Sequence, residues 1–101
     1  MEKVLFHLEM VMEMISVENM TSSSGNSVPN QFIVRINSKG TFFQSYKSII
    51  ACKTPKGIVL DKTYWDYSVT TGKYRNLFLN ETKKETEAKI KSGEYKLKDL
   101  N

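Results

Sequence analysis

The sequence is poor in the residues that catalytic and metal centres draw on. Its 101 residues hold one cysteine, Cys52, and one histidine, His7. A zinc-type site needs about four ligands and a thiol nucleophile needs a base within reach, so neither a metal centre nor a cysteine–histidine couple is expected. A lone cysteine also excludes an internal disulfide, which fits a reducing compartment. Cys52 alternates with apolar neighbours in a strand-like run and reads as a small buried residue. His7 sits in an apolar amino-terminal run and reads as a packed or surface side chain. No GxGxxG occurs, and no GxxxxGK followed by Ser or Thr, so a phosphate-cradling loop has no support. Asp61 and Asp66 stand five apart, a weak pattern for acid–base chemistry, and read as a turn aspartate and a helix cap. No catalysis, cofactor or metal is expected.

Long hydrophobic runs are missing as well. The longest, VLFHLEMVMEMI from Val4 to Ile15, is interrupted by His7, Glu9 and Glu13 and falls short of the roughly 20 residues that span a bilayer. No membrane span is expected. MEKVLFHLEMVM lacks a basic start and a small-residue cleavage site, so a cytoplasmic setting is expected.

What remains is ordinary globular composition, 40% hydrophobic and 26% charged. The net charge is +4, and it is uneven: residues 1–31 hold one Lys against four Glu, residues 32–101 fourteen Lys or Arg against seven acids. The basic body either attracts an anionic partner such as nucleic acid or an acidic protein face, or only keeps the domain soluble.

The order of segments predicts an α+β fold, a small antiparallel sheet of about four to five strands packed against one or two carboxy-terminal helices. Residues 1–12 read as a helix or extension, because Val4, Leu8, Val11, Met12 and Ile15 fall at helical spacing, and residues 13–101 as a single domain. A strand is expected over 13–21 and a loop over TSSSGNSVPN, Thr21 to Asn30. QFIVRIN and TFFQSY flank a turn containing Gly40, and SIIACKT and GIVLD flank Pro55-Lys56-Gly57, which together predict a four-stranded meander. Asp66 or Ser68 can cap a helix near Val69 whose apolar stripe is Tyr74, Leu77 and Phe78. Thr82 and Glu85 have the spacing of a capping box, opening a second helix that ends near Gly93. The tail YKLKDL is either an edge strand or a docked extension.

The densest feature is YWDYSVTTGKYR, Tyr64 to Arg75, with the only tryptophan and three of five tyrosines beside Asp, Lys and Arg. Aromatic rings stack on exposed bases and cations neutralise phosphates, so the set suits single-stranded nucleic acid. The same residue types dominate protein-interface hot spots, and they also build cores. Tyr74 shares the apolar stripe, so Trp65 and Tyr74 are expected to be mostly structural, with Lys73 and Arg75 pointing outward. Arg35 and Lys47, interleaved with other aromatic runs and without obvious counter-ions, complete a candidate binding set of Arg35, Lys47, Tyr64, Trp65, Tyr67, Lys73 and Arg75.

The blocks GNSVPNQF, FQSYKSIIA, LDKTYWDYSVTTGKYRNLFL and IKSGEY, spread over residues 25–97, resemble a family of small uncharacterised proteins carried by tailed phages and prophages. That resemblance implies an accessory or counter-defence protein, comparable to an anti-CRISPR, that binds a host protein or nucleoprotein complex without catalysis in the bacterial cytoplasm. It transfers no site residue. The alternative is a nucleic-acid-binding regulator using a basic-aromatic surface.

Overall fold

The β-branched and aromatic runs of the middle of the chain form the expected meander, and strands added on both sides of it widen the sheet. The computed structural model describes residues 14–101. The helix or extension predicted over 1–12 lies outside them. In chain order the elements are β1 (Ile15–Thr21), β2 (Ser27–Ile36), β3 (Gly40–Ser45), β4 (Ser48–Thr54), β5 (Gly57–Asp61), α1 (Val69–Leu79), α2 (Lys83–Ser92) and β6 (Lys96–Lys98). The described strands make one sheet of six in the order β1-β2-β3-β4-β5-β6, one more than the upper expectation. The fold is α+β, a mostly antiparallel sheet with two helices after it.

The hairpin between β2 and β3 closes at Ile36 opposite Gly40. Gly40 has φ 135°, and a Cβ there would lie 2.1 Å from the Lys53 carbonyl oxygen, so no other residue fits without displacing β4. The expected loop over 21–30 is much shorter. Its reversal is confined to the residues after Thr21, with Gly25 N donating to Ser22 O and Ser22 N to Asn26 O, and β2 already begins at Ser27. The β1–β2 register slips between Asn19 and Thr21. That irregularity tolerates Pro29, which has no N–H to give to a ladder.

Strand alternation sorts the sheet into two faces. Ile33, Phe43, Ala51 and Leu60 lie side by side across β2–β5 and face the helices. Phe43 meets Phe78 of α1 with ring centroids 5.8 Å apart, and Lys53 Nζ, two residues on from Ala51, lies 4.4 Å from the centre of the same ring. Around this row close Met20, Ile50, Tyr74, Leu79 and Tyr95, with Val28, Ile58, Tyr64, Trp65 and Ile90 packed against them.

Ser68, not Asp66, caps α1, its hydroxyl accepting from Thr71 N at 3.1 Å. The inward side of α1 carries Thr71, Tyr74, Arg75, Phe78 and Leu79. Leu77, expected in the stripe, is 53% exposed. One turn of helix holds only 3.6 residues, and with Tyr74 and Phe78 fixed inward the next inward position is Leu79. The Thr82–Glu85 capping box is present, and Gly93 ends α2 in the left-handed conformation at φ 84°. Glu81, between the helices, accepts from Thr86 Oγ1 at 2.6 Å, Lys89 Nζ at 2.7 Å and Tyr95 OH at 2.8 Å, tying the helix junction to the start of β6. The tail is an edge strand, and β6 pairs with β5 in parallel, correcting the all-antiparallel expectation. Two intervening helices return the chain to the edge in the direction of β5, which a tight hairpin cannot do.

Candidate functional site

The aromatic stretch is split by the turn that follows β5. Asp61, buried at the end of β5, accepts from Tyr64 N at 2.8 Å and Thr63 N at 3.0 Å through one oxygen and from Leu100 N at 2.8 Å through the other. Burial pushes its carboxyl up, but these backbone donors outweigh burial and hold it below the usual aspartate range. Two further backbone bonds, Trp65 N to Asp61 O at 3.1 Å and Tyr67 N to Tyr64 O at 3.2 Å, fix the turn. Tyr64 and Tyr67 then lie together, ring centroids 5.5 Å apart and tilted by 58°.

These two tyrosines line an open groove of about 720 Å³ whose other walls include Phe32, Tyr46 and Lys47. Tyr46 is 56% exposed and Tyr67 69% exposed. Tyr46 sits in the two-residue reversal between β3 and β4 at φ 55°, a conformation that bulky residues rarely take. Asn30, on the groove wall, is also left-handed at φ 65°, and its carbonyl accepts from Tyr46 N at 2.7 Å. Gln44 Nε2 donates to Tyr46 O at 2.7 Å. The ring is thus presented from a backbone held at both ends, the pattern by which strained residues persist at functional positions.

Of the seven predicted binding residues, the structure brings three into this groove: Lys47, Tyr64 and Tyr67. Trp65 packs against the core, as expected. Arg75, expected to point outward, is 1% exposed. Its guanidinium donates to Trp65 O at 2.8 Å, Asp66 Oδ1 at 3.1 Å and Asn76 Oδ1 at 2.9 Å, and its carbon lies 5.1 Å from the Trp65 ring centre. The reason is helical phase: Arg75 is four residues from Thr71 and beside Tyr74, on the inward side of α1. Asp66 also pairs with Lys83 Nζ at 2.7 Å. Burial pushes the Asp66 carboxyl up, but the Lys83 and Arg75 cations outweigh it and lower the pKa.

The two remaining residues are dispersed. Lys73 is exposed, as expected, and lines a separate trench of about 780 Å³ between α1 and the Ser22–Ser23 turn, with Val69 and Leu77. That trench is the larger, but it gathers only one outward-facing predicted residue and shows no strained backbone. Arg35, expected to lack a counter-ion, is paired with Glu18 across β1 and β2, near the opposite end of the sheet. The basic-aromatic surface read from the sequence is therefore four separate places. Sequence reading missed Phe32 and Tyr46; the one available signal was a large aromatic in a short reversal, where it has nowhere to be buried.

Residues 15–94 match the model of DUF8033, a family of unknown function. The chain belongs to that family. No curated protein and no solved structure matches it. The match spans β1 through α2 and includes every residue of the tyrosine groove and the whole Trp65–Asp66–Arg75 cluster. Among the described residues no group of three or more His, Cys, Asp or Glu is placed to hold a metal ion, and no helix is long and apolar enough to cross a membrane.

Proposed function

We propose that the protein is a binding module that engages a partner protein, without catalysis, through the groove formed by Phe32, Tyr46, Lys47, Tyr64 and Tyr67. The observation that carries this reading is Tyr46, a large aromatic held exposed at positive φ beside two further tyrosines. Tyrosine brings contact area with few rotatable bonds and a hydroxyl for orientation, the chemistry of interface hot spots. The resemblance of the sequence blocks to proteins of tailed phages supports placing that partner in a bacterial host, as the target of an accessory or counter-defence factor in the cytoplasm. The alternative, a nucleic-acid-binding regulator, draws on the same tyrosines as stacking platforms. It has less support, since among the described residues Lys47 is the single cation lining this groove, Arg75 is enclosed and Arg35 is paired.

The two readings part on salt. Retention of one host protein by the immobilised chain, unchanged by nuclease and lost in Tyr67→Ala, supports the protein reading. Anisotropy titrations with single- and double-stranded oligonucleotides at two salt concentrations test the other, whose affinity falls steeply with salt as counterions are released. Oligonucleotide binding at low salt that Tyr67→Ala abolishes, with no protein retained, would overturn the leading reading.

A further inference from the structure

Side chains in the tyrosine groove are left unused by the rest of the chain. Tyr95 donates its hydroxyl to Glu81 at 2.8 Å, whereas the hydroxyls of Tyr46, Tyr64 and Tyr67 make no hydrogen bond among the described residues. Three donors therefore stand at the groove without acceptors. Lys47 beside them is exposed and, unlike Arg35, Arg75, Lys83 and Lys89, forms no ion pair among the described residues. No described Asp or Glu lines the groove, so its charge is positive.

The backbone at Tyr46 is by contrast engaged. Its N–H donates to Asn30 O and its carbonyl accepts from Gln44 Nε2, both at 2.7 Å, and the reversal closes on the Ser45–Ser48 pair of the β3–β4 ladder. An added strand, which is held by main-chain bonds, finds no partner there. A helix fits poorly for the opposite reason, because its carbonyls are bonded within the helix and offer the three hydroxyls no main-chain acceptor. A polyproline II segment has no internal hydrogen bonds, leaves a free carbonyl about every 3.1 Å and packs flat proline rings on aromatic side chains. It also arrives ordered, so binding costs little chain entropy.

We propose that the groove takes a proline-rich segment of the partner protein in the polyproline II conformation, with an Asp or Glu of that segment set against Lys47. The inference rests on the reading of the groove as a protein-binding site. Proline rings lie on Tyr46 and Tyr67, 56% and 69% exposed, and on half-buried Phe32 and Tyr64. The tyrosine hydroxyls donate to the free carbonyls of the segment and fix a register that apolar contact alone leaves open. Lys47 fixes its direction, because a carboxylate at one end of the segment meets the cation in one orientation only. The left-handed backbone at Asn30 and Tyr46 holds the Tyr46 ring in place before the segment arrives, which lowers the ordering cost of binding.

Calorimetric titration of the full chain with synthetic peptides tests the assignment. The probes are a proline decamer ending in a pair of glutamates, the same decamer ending in a pair of lysines, and a glycine–serine decamer ending in glutamates. The acidic proline peptide is expected to bind and the glycine–serine peptide not to. The basic proline peptide should bind about two- to fivefold more weakly than the acidic one, as an exposed ion pair allows, and Lys47→Glu should reverse that order. Tyr67→Phe keeps the ring and removes the hydroxyl, so it should weaken the acidic peptide about two- to tenfold, the worth of one hydrogen bond, with an unchanged circular dichroism spectrum. A wild type that binds neither proline peptide overturns the inference. So does equal binding of the acidic and basic peptides, binding of the glycine–serine peptide, or an affinity that Tyr67→Phe leaves unchanged. The protein-binding reading is judged apart from these peptides, by host-protein retention that Tyr67→Ala abolishes.

Discussion

Two regions of the molecule are made from the same twelve-residue stretch and the same kinds of side chain, yet one encloses its cation and the other lines an open groove. Trp65 and Arg75 close on each other, with Asp66 and Asn76 accepting from the two terminal nitrogens of the guanidinium. Tyr64 and Tyr67 open into a groove with Tyr46 and Lys47. Residue type does not separate them, since each pairs aromatics with a cation. What separates them is geometry: Asp61 pins the turn so that Tyr64 and Tyr67 come together, while helical phase carries Arg75 inward. An aromatic–cation cluster in sequence is thus evidence of a role for those residues, and its location decides which role.

The sharpest way to break the comparison is at the enclosed half. Arg75→Ala leaves Trp65 O and Asn76 Oδ1 without their donor while Asp66 keeps Lys83, and leaving a buried polar group unsatisfied costs about 1 to 3 kcal/mol. Urea unfolding should show a loss of that order, against about 3 to 5 kcal/mol expected for Phe78→Ala. An Arg75→Ala midpoint equal to the wild type would mean that the guanidinium reaches solvent. A loss departs from the sequence expectation that Arg75 points outward.

Acid titration probes the carboxylates that brace the fold around both regions. Burial raises the Glu81 carboxyl, but hydrogen bonds from Lys89, Thr86 and Tyr95 outweigh it and lower the pKa below the usual 4.5, and Asp66 is lowered below 3.8. A carboxyl whose folded pKa is depressed stabilises the fold fully above its unfolded pKa, and that stabilisation is lost as pH falls through the folded value. Melting temperature is therefore expected to be flat above about pH 5 and to drop below it. Glu81→Gln should start lower at neutral pH and show a shallower acid limb. An identical acid limb would remove Glu81 from the account.

Smaller effects are expected in the groove. Tyr46→Gly relieves a left-handed backbone that costs an L residue about 1 kcal/mol, so the variant should melt slightly higher while losing partner binding. Stability and binding both unchanged would mean that Tyr46 is an ordinary turn residue. Smallest of all, Lys47→Glu and Tyr67→Ala should change stability by no more than about 0.5 kcal/mol, since exposed side chains away from caps and cores rarely do more. Their effect belongs in partner retention. Loss of folding in either would place the groove inside the core network with Trp65.

Much of the fold was legible because the deciding forces are local. Alternating β-branched and aromatic runs specify strands, Gly40 marks the hairpin, and Ser68, Thr82, Glu85 and Gly93 mark helix ends through bonds that close within a few residues. The sequence by itself therefore determined the α+β class, the meander, both described helices and the presence of a Tyr, Trp, Lys and Arg cluster worth following. Tertiary structure alone decided that Arg75 is enclosed and Leu77 exposed, that Arg35 meets Glu18, that Phe32 and Tyr46 join Tyr64 and Tyr67, and that β6 runs parallel to β5. Those outcomes depend on contacts between residues distant along the chain, such as Tyr46 with Asn30, and on a helix phase set by what lies beneath it. Periodicity within one segment carries no information about either.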